Sequence, residues 1–453
     1  MFDTGKERNE KMIEPVALLK DLVRINTTNP PGEEEKLLLY LERILQEHRI
    51  PYVYQKSAKG RGNLLAWQLA DQAEEAPLIL MSHTDVVAAQ ASQWKFPPFE
   101  AQEVDGYIYG RGTVDTKQLT AMELTAFLAL KEKEIPLKRD VYFLATSDEE
   151  SGSACLKHYF QDLKMPHPDY AFTPDSSFPV TFAEKGAVRV KITRKFKTLE
   201  EVVLRGGNAF NSVAEKVRAN FPSALVSGLE SKNRVKVEEE DGISEVFVQG
   251  VAAHGAKPHL GVNAIQVLFD YLKDCGIHNE EFRELVELFK NYLKMETDGA
   301  SFGVNFSDEE SGNLSLNVGM ISLEDNQLEI CIDMRCPVLV ENQKVIDTMK
   351  PKVEAAGFEF VLYSNSKPLY FPKDSFLVKT LMDVYQEVTG DMEAKPVAIG
   401  GGTYAKQTTN AVAFGALLKS QEDLMHQKDE YLEIDKLDTL LPIFIEAIYR
   451  LAK

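Results

Sequence analysis

Two hydrophobic periods alternate along the first part of the chain. Over residues 13–24 and 34–47 apolar side chains recur at helical spacing. Apolar runs then cover Asn63–Leu69 and Pro77–Met81, short enough for buried strands. A glycine-rich turn precedes a long apolar-periodic stretch, Leu119–Lys131, and Asp140–Thr146 reads as a further buried strand. Helices alternating with buried strands predict an α/β fold, a mostly parallel sheet flanked by helices.

From about residue 186 to 372 the pattern changes. Strand-like runs at Ala187–Ile192, Ser244–Val251, Leu314–Met320, Gln327–Met334 and Phe358–Tyr363 are interleaved with helical ones. Asn211-Ser-Val-Ala and Asn263-Ala-Ile-Gln both look like helix starts after a glycine-containing turn. The order predicts an α+β segment of two tandem β-α-β units. After Pro372 the α/β pattern returns, with helices over 374–389 and 434–451 and a strand at Ala411–Gly415.

At 453 residues the chain exceeds one ordinary core. Its 44% hydrophobic and 27% charged residues fit a globular protein. Against 51 basic residues stand 70 acidic ones, a net charge of −19, which disfavours nucleic acid and anionic membranes as partners. Met1 to Met12 is charged and lacks the apolar stretch of a signal peptide, and no run is long enough for a transmembrane helix. The four cysteines, Cys155, Cys275, Cys331 and Cys336, form no C-x-x-C pair. They read as structural thiols of a cytoplasmic protein.

Five polar motifs change the picture from fold to chemistry. They are Ser82-His-Thr-Asp85, Gly110-Arg-Gly-Thr-Val-Asp-Thr-Lys117, Asp148-Glu-Glu150, Thr173-Pro-Asp175 and Met425-His-Gln-Lys-Asp-Glu430. Most follow a strand, where open α/β sheets place their ligand sites. His83 and Asp85 alternate onto one side of an extended segment. Alone, His83 reads more readily as a hydrogen-bonded strand-end histidine, and Asp115 equally as a helix N-cap. Glu149 and Glu150 together would ordinarily mark a solvated face. As a set, the motifs supply imidazole and carboxylate ligands for a divalent cation. His426 must join the N-terminal motifs. The expected organisation is therefore a discontinuous metal-binding domain, residues 1–185 plus 373–453, with residues 186–372 inserted.

With these motifs the chain resembles the dinuclear zinc peptidases and deacylases that include carboxypeptidase G, aminoacylase, acetylornithine deacetylase and carnosinase. Asp148-Glu-Glu-Ser-Gly-Ser-Ala-Cys155, Phe172-Thr-Pro-Asp-Ser-Ser-Phe-Pro179, Glu184-Lys-Gly186 and Ile399-Gly-Gly-Gly-Thr-Tyr-Ala405 bring it nearest to the bacterial PepV-type dipeptidases. The resemblance implies two zinc ions, with manganese or cobalt as alternatives. Asp115 would bridge them, His83 and Asp175 completing one site and Glu150 and His426 the other. Glu149 would be the general base and acid, and Asp85 would orient His83. His254, in Ala253-His-Gly-Ala-Lys-Pro-His259, would stabilise the oxyanion from a lid formed by the insertion. Arg335 would hold the substrate carboxylate, with Asn211 and Gly400, Gly401 and Gly402 as further contacts. Gln118 departs from the family's usual glycine.

The insertion is longer than the lid of relatives that dimerise, so a monomer is expected. The implied activity is hydrolysis of dipeptides. Deacylation or desuccinylation of acylated amino acids on the same centre is the alternative. A non-catalytic protein that binds amino acids or peptides is the third reading, and it would predict loss of Glu149 or of a ligand.

Overall fold

The computed structural model describes residues 13–73, 75–132, 137–165 and 167–453. It divides into two compact units. The first runs up to Phe182 and takes in Phe371–Val397 and Gly402–Lys453, and the second comprises Ala183–Tyr370 and Ala398–Gly401.

The first unit is built on a mixed sheet. Its strand order is Tyr52–Ala58, Arg61–Gln68, Val141–Thr146, Leu78–His83, Tyr170–Thr173, Ala411–Phe414 and Val180–Glu184. The four strands from Val141–Thr146 to Ala411–Phe414 are parallel, and the flanking pairs are antiparallel. Strand Leu78–His83 is buried throughout, as a central parallel strand covered on both faces should be. Helix Lys117–Glu132 packs on this sheet and against helix Leu437–Ala452. Helices Pro15–Arg24 and Glu35–Glu47 bury leucine stripes, Leu18, Leu19 and Leu22 in one and Leu37, Leu38 and Leu41 in the other. Ser375 caps helix Phe376–Thr389 through a hydrogen bond from Val378 N, and Gly390 ends it at φ 75°.

The second unit is an eight-stranded sheet in which every pairing is antiparallel. Its order is Val235–Glu240, Ile243–Gln249, Lys216–Pro222, Val203–Gly206, Ser315–Glu324, Gln327–Cys336, Gly186–Lys195 and Glu359–Ser366. In chain order Gly186–Lys195 is followed by four more strands of this sheet before helices Ala264–Leu272 and Glu280–Tyr292 lead into Ser315–Glu324. Gln327–Cys336 reaches Glu359–Ser366 through helix Asn342–Ala355 alone, so the expected tandem pair of simple β-α-β units is interrupted by strands. The remaining strands extend one edge of the sheet.

Asn263 caps its helix as expected, accepting from Ile265 N and Gln266 N. Asn211 opens no helix, and this corrects the sequence reading. The carbonyls a helix would need are spent elsewhere: Asn317 Nδ2 donates to Phe210 O (2.8 Å) and Ser212 O (2.9 Å), and Gly255 N donates to Asn211 O (2.7 Å). All four cysteines are free thiols, and Cys155, Cys331 and Cys336 are buried. Among the described residues no helix is long and apolar enough to cross a membrane.

One buried acid has a stability consequence. Glu34, at the start of helix Glu35–Glu47, is fully buried, and neither carboxylate oxygen has a hydrogen-bond partner. Its nearest cation is Arg61, whose Nε lies 3.6 Å away. Burial pushes the carboxyl from 4.5 up to about 7. The folded chain therefore keeps a proton that the unfolded chain releases at lower pH. Glu34's contribution is fully present below about 4.5 and is lost as pH rises through about 7. Glu34→Gln should raise the Tm at about pH 8, with the gain shrinking towards pH 5. Melting curves across that range test this, and a gain independent of pH would refute it.

Candidate metal centre

The parallel strands of the first unit deliver their carboxyl ends to one edge of the sheet, and the motifs sit there. His83 is the last residue of Leu78–His83, Glu149 and Glu150 follow Val141–Thr146, and Asp175 follows Tyr170–Thr173. Asp115 lies in the turn before helix Lys117–Glu132, and His426 in the loop before strand Tyr431–Glu433. His426 adopts φ 64°, a left-handed conformation that costs a non-glycine residue about 1–3 kcal/mol.

These side chains converge into two groups that share Asp115. His83, Asp115 and Asp175 form one, Asp115, Glu150 and His426 the other, and within each the ligand atoms lie within 4.8 Å of one another. The two oxygens of Asp115 face different histidines. Oδ1 is 3.2 Å from His83 Nε2, and Oδ2 is 3.0 Å from His426 Nε2. His426 Nε2 is also 3.2 Å from Glu150 Oε1, and His83 Nε2 is 3.9 Å from Asp175 Oδ1.

His83 is held in a definite orientation. Its Nδ1 is 3.1 Å from the Asp85 carbonyl, which can only accept, so Nδ1 carries a proton and Nε2 is the nitrogen left to face a cation. Asp85 is fully buried and organises more than His83. Its Oδ1 accepts from Glu149 N (3.0 Å), and its Oδ2 accepts from Glu150 N (3.0 Å) and Asn29 Nδ2 (2.9 Å). Its Oδ1 also lies 3.2 Å from His83 Nδ1, so one carboxylate fixes an imidazole and the turn that carries both glutamates.

The donor set fits a divalent cation. His83 Nε2 and Asp115 Oδ1 are buried, and neither makes a hydrogen bond, although they are 3.2 Å apart. Buried polar atoms without partners are unfavourable unless something else satisfies them. Charge makes the same demand. Burial, then the neighbouring Glu149, raises Asp175 well above the usual carboxylate range. Burial, opposed by His83 and reinforced by Glu150 and Asp85, pushes Glu149 up to about 8. Burial would also raise Asp115, but His426 and His83 hold it below its ordinary value. His426 is pushed up to about 11 by Asp115 and Glu150. Carboxylates this crowded are relieved by positive charge.

Several contributors went unassigned from sequence. Tyr404 sets its ring edge-on to His83 at 5.5 Å and donates its hydroxyl to Met81 O (2.7 Å). Arg61 Nη1 donates to Asp148 Oδ1 (3.0 Å), and Arg61 also bonds Asn29. Arg111 and Glu430, from the Gly110–Lys117 and Met425–Glu430 motifs, pair with each other at 2.6 Å. Gln118, in the first turn of helix Lys117–Glu132, is buried, and neither amide atom has a hydrogen-bond partner.

The other expected residues lie in the second unit, with Gly402 in the first. There Ser212 pairs with His254, which brings the Asn211 and His254 segments together. Arg335 donates Nε to Asp333 (2.8 Å) and Nη1 to Gly400 O (3.0 Å), placing the arginine beside the start of the glycine loop.

The model for Peptidase family M20/M25/M40 matches residues 79–450. Proteins described as putative dipeptidases are similar over most of their length. One from Staphylococcus epidermidis is 32% identical over 395 residues, 83% of each chain. YtjP of Bacillus subtilis is 32% identical over 393 residues, 83% of this chain and 82% of that one. Among solved structures, an M20 family metallo-carboxypeptidase from Sulfolobus solfataricus is similar with a TM-score of 0.61 at 18% identity, covering 97% of this chain and 99% of that one. Aminoacylhistidine dipeptidase from Vibrio alginolyticus is similar with a TM-score of 0.58 at 16% identity, covering 99% and 98%. At these identities the structural likeness speaks for the fold.

Proposed function

The chain belongs to peptidase family M20/M25/M40 and is a metallopeptidase, and from that premise we propose that it hydrolyses dipeptides with two divalent cations. The observation that carries the reading is Asp115, whose two oxygens each face a different histidine. His83, Asp115 and Asp175 would hold one cation, and Asp115, Glu150 and His426 the other. Imidazole and carboxylate ligands suit zinc, with manganese or cobalt as alternatives. Cations held there would acidify a water molecule and polarise the scissile carbonyl.

The chain's own residues divide the remaining work. Glu149 belongs to neither ligand group, and burial pushes its carboxyl up to about 8. It takes a proton from the attacking water and passes it to the leaving amine. Asp85 fixes His83 and the Glu149–Glu150 turn. His254 accepts from Ala256 N through Nδ1 (3.1 Å), which puts its own proton on Nε2, the form that can donate to an oxyanion. Arg335, oriented by Asp333, anchors the substrate carboxylate, and Asn211 with Gly400, Gly401 and Gly402 contributes further contacts. In this reading residues 1–185 plus 373–453 are the catalytic domain of a monomer, and residues 186–372 are its lid. Buried free thiols support a cytoplasmic enzyme. The relatives' names support the dipeptide substrate.

The test is hydrolysis of a panel of dipeptides and N-acyl amino acids before and after chelation, with metal content measured in parallel. Chelator-sensitive dipeptide cleavage, restored by added zinc or manganese, is expected. Preference for acyl substrates would move the reading to a deacylase on the same centre. Dipeptide cleavage unaffected by complete metal removal would overturn it.

A further inference from the structure

The two ligand groups are not held alike. His83 and Asp175 come off adjacent strands of the parallel sheet, and Thr116 Oγ1 ties the Asp115 turn to His83 O at 3.0 Å. His426 instead sits in a loop, its side chain 53% exposed and its backbone left-handed. Among the described residues no backbone hydrogen bond ties it to a strand of the sheet. Something must hold it against Asp115, from which it is separated by more than three hundred residues.

Glu430 is placed to do this. It is fully buried, and four N–H donors converge on its carboxylate. Oε1 accepts from Val114 N (2.6 Å) and Asp115 N (3.1 Å), and Oε2 accepts from Gly112 N (3.1 Å) and Arg111 Nη1 (2.6 Å). Arg111 Nη2 then reaches the His426 carbonyl at 3.4 Å, while its guanidinium lies 5.1 Å from the Trp94 ring. Two further contacts close the connection, Gly110 N to Glu430 O (2.9 Å) and Lys95 N to Asp429 Oδ1 (2.5 Å). One carboxylate thus grips the backbone of the shared aspartate and, through Arg111, the backbone of the histidine.

We propose that Glu430, acting through Arg111, is a positioning residue that sets the spacing of His426 to Asp115 and so selectively tunes the affinity of the His426–Glu150 cation site. The inference rests on the two-cation reading. It differs from a general structural role because the His83–Asp175 group keeps its own ties to the sheet and to Thr116.

The variants are Glu430→Gln and Arg111→Lys. Glutamine keeps one acceptor oxygen for Val114 and Asp115 but turns an N–H₂ towards Gly112 and Arg111. Lysine keeps the charge beside Glu430 and loses the second nitrogen that reaches His426. Calorimetric titration of the metal-stripped full chain with zinc, and visible spectra during cobalt titration, read the two sites separately. Asp175→Asn serves as the opposite control, weakening the His83 site.

The His83–Asp175 cation should bind both Glu430→Gln and Arg111→Lys as it binds wild type. The second cation should weaken by roughly 10–100-fold, the range for lost outer contacts to metal ligands. Equal weakening at both sites, or two sites unchanged from wild type, would overturn the proposal. If the wild-type chain itself took up no metal, the two-cation reading would fall first and this inference with it. A variant that unfolded on stripping would be judged by the other, since Arg111→Lys retains every backbone contact of Glu430.

Discussion

Glu149→Gln is expected to lower kcat by roughly 10²–10⁴-fold, the usual contribution of a positioned general base, while leaving metal content unchanged. Both halves of that expectation come from the geometry. The Glu149 carboxyl lies outside the two ligand groups, so an isosteric amide removes no cation ligand. The turn is held through backbone, by Asp85 accepting from Glu149 N and Glu150 N, and the substitution does not touch those bonds. What disappears is a group that can carry a proton. Burial and the neighbouring carboxylates keep the Glu149 proton up to about 8, against an ordinary 4.5. A bound cation would draw that value down towards working pH, where a base and acid operates best. The amide can do neither job, so kcat should fall with little change in KM. Steady-state kinetics with parallel metal analysis check this. Full activity in a metal-replete variant would remove Glu149 from the mechanism, whereas lost metal would make it a ligand.

The site was legible where its chemistry sits in short strings at the ends of buried strands. Leu78–His83 reads as a buried strand from its apolar run, and the imidazole falls at its end because the strand runs out into the polar motif. The roles of Arg111 and Glu430 were not legible. Their pairing spans 319 positions, and no local pattern tells a buried glutamate gripping a turn from one on a solvated loop. The same limit explains the fold error at Asn211. Asn211-Ser-Val-Ala and Asn263-Ala-Ile-Gln look alike as helix starts, yet Asn317 takes the Phe210 and Ser212 carbonyls at the first and leaves the second to cap its helix. Local propensity proposes, and a distant side chain that claims the backbone decides. Strand direction was half legible. Apolar runs marked the parallel centre, while the antiparallel flanks depended on turns that short runs do not disclose.

Asp115→Asn should have the broadest effect of any single substitution, loss of both cations and of measurable turnover. The reason is the division of its carboxylate. Oδ1 faces His83 and Oδ2 faces His426, and among the described residues Asp115 alone belongs to both groups. An amide withdraws the negative charge from both at once, and its N–H₂ points a donor at one of the two cation positions. Glu150→Gln or Asp175→Asn, by contrast, strips one group only. Each affinity should fall by more than about 100-fold, since even outer contacts to metal ligands are worth 10–100-fold. The change also has a signature without metal. Asp115 heads the causes that push His426 up to about 11, followed by Glu150. Removing its charge should bring the His426 imidazole down towards 6.5, a shift visible by NMR titration of the stripped protein. A lowered His426 with both cations lost fits a shared aspartate. Retention of the cation at His83 and Asp175 with loss of the other would show that Asp115 serves only the His426 group, and the two-cation reading would have to be rebuilt on separate sites.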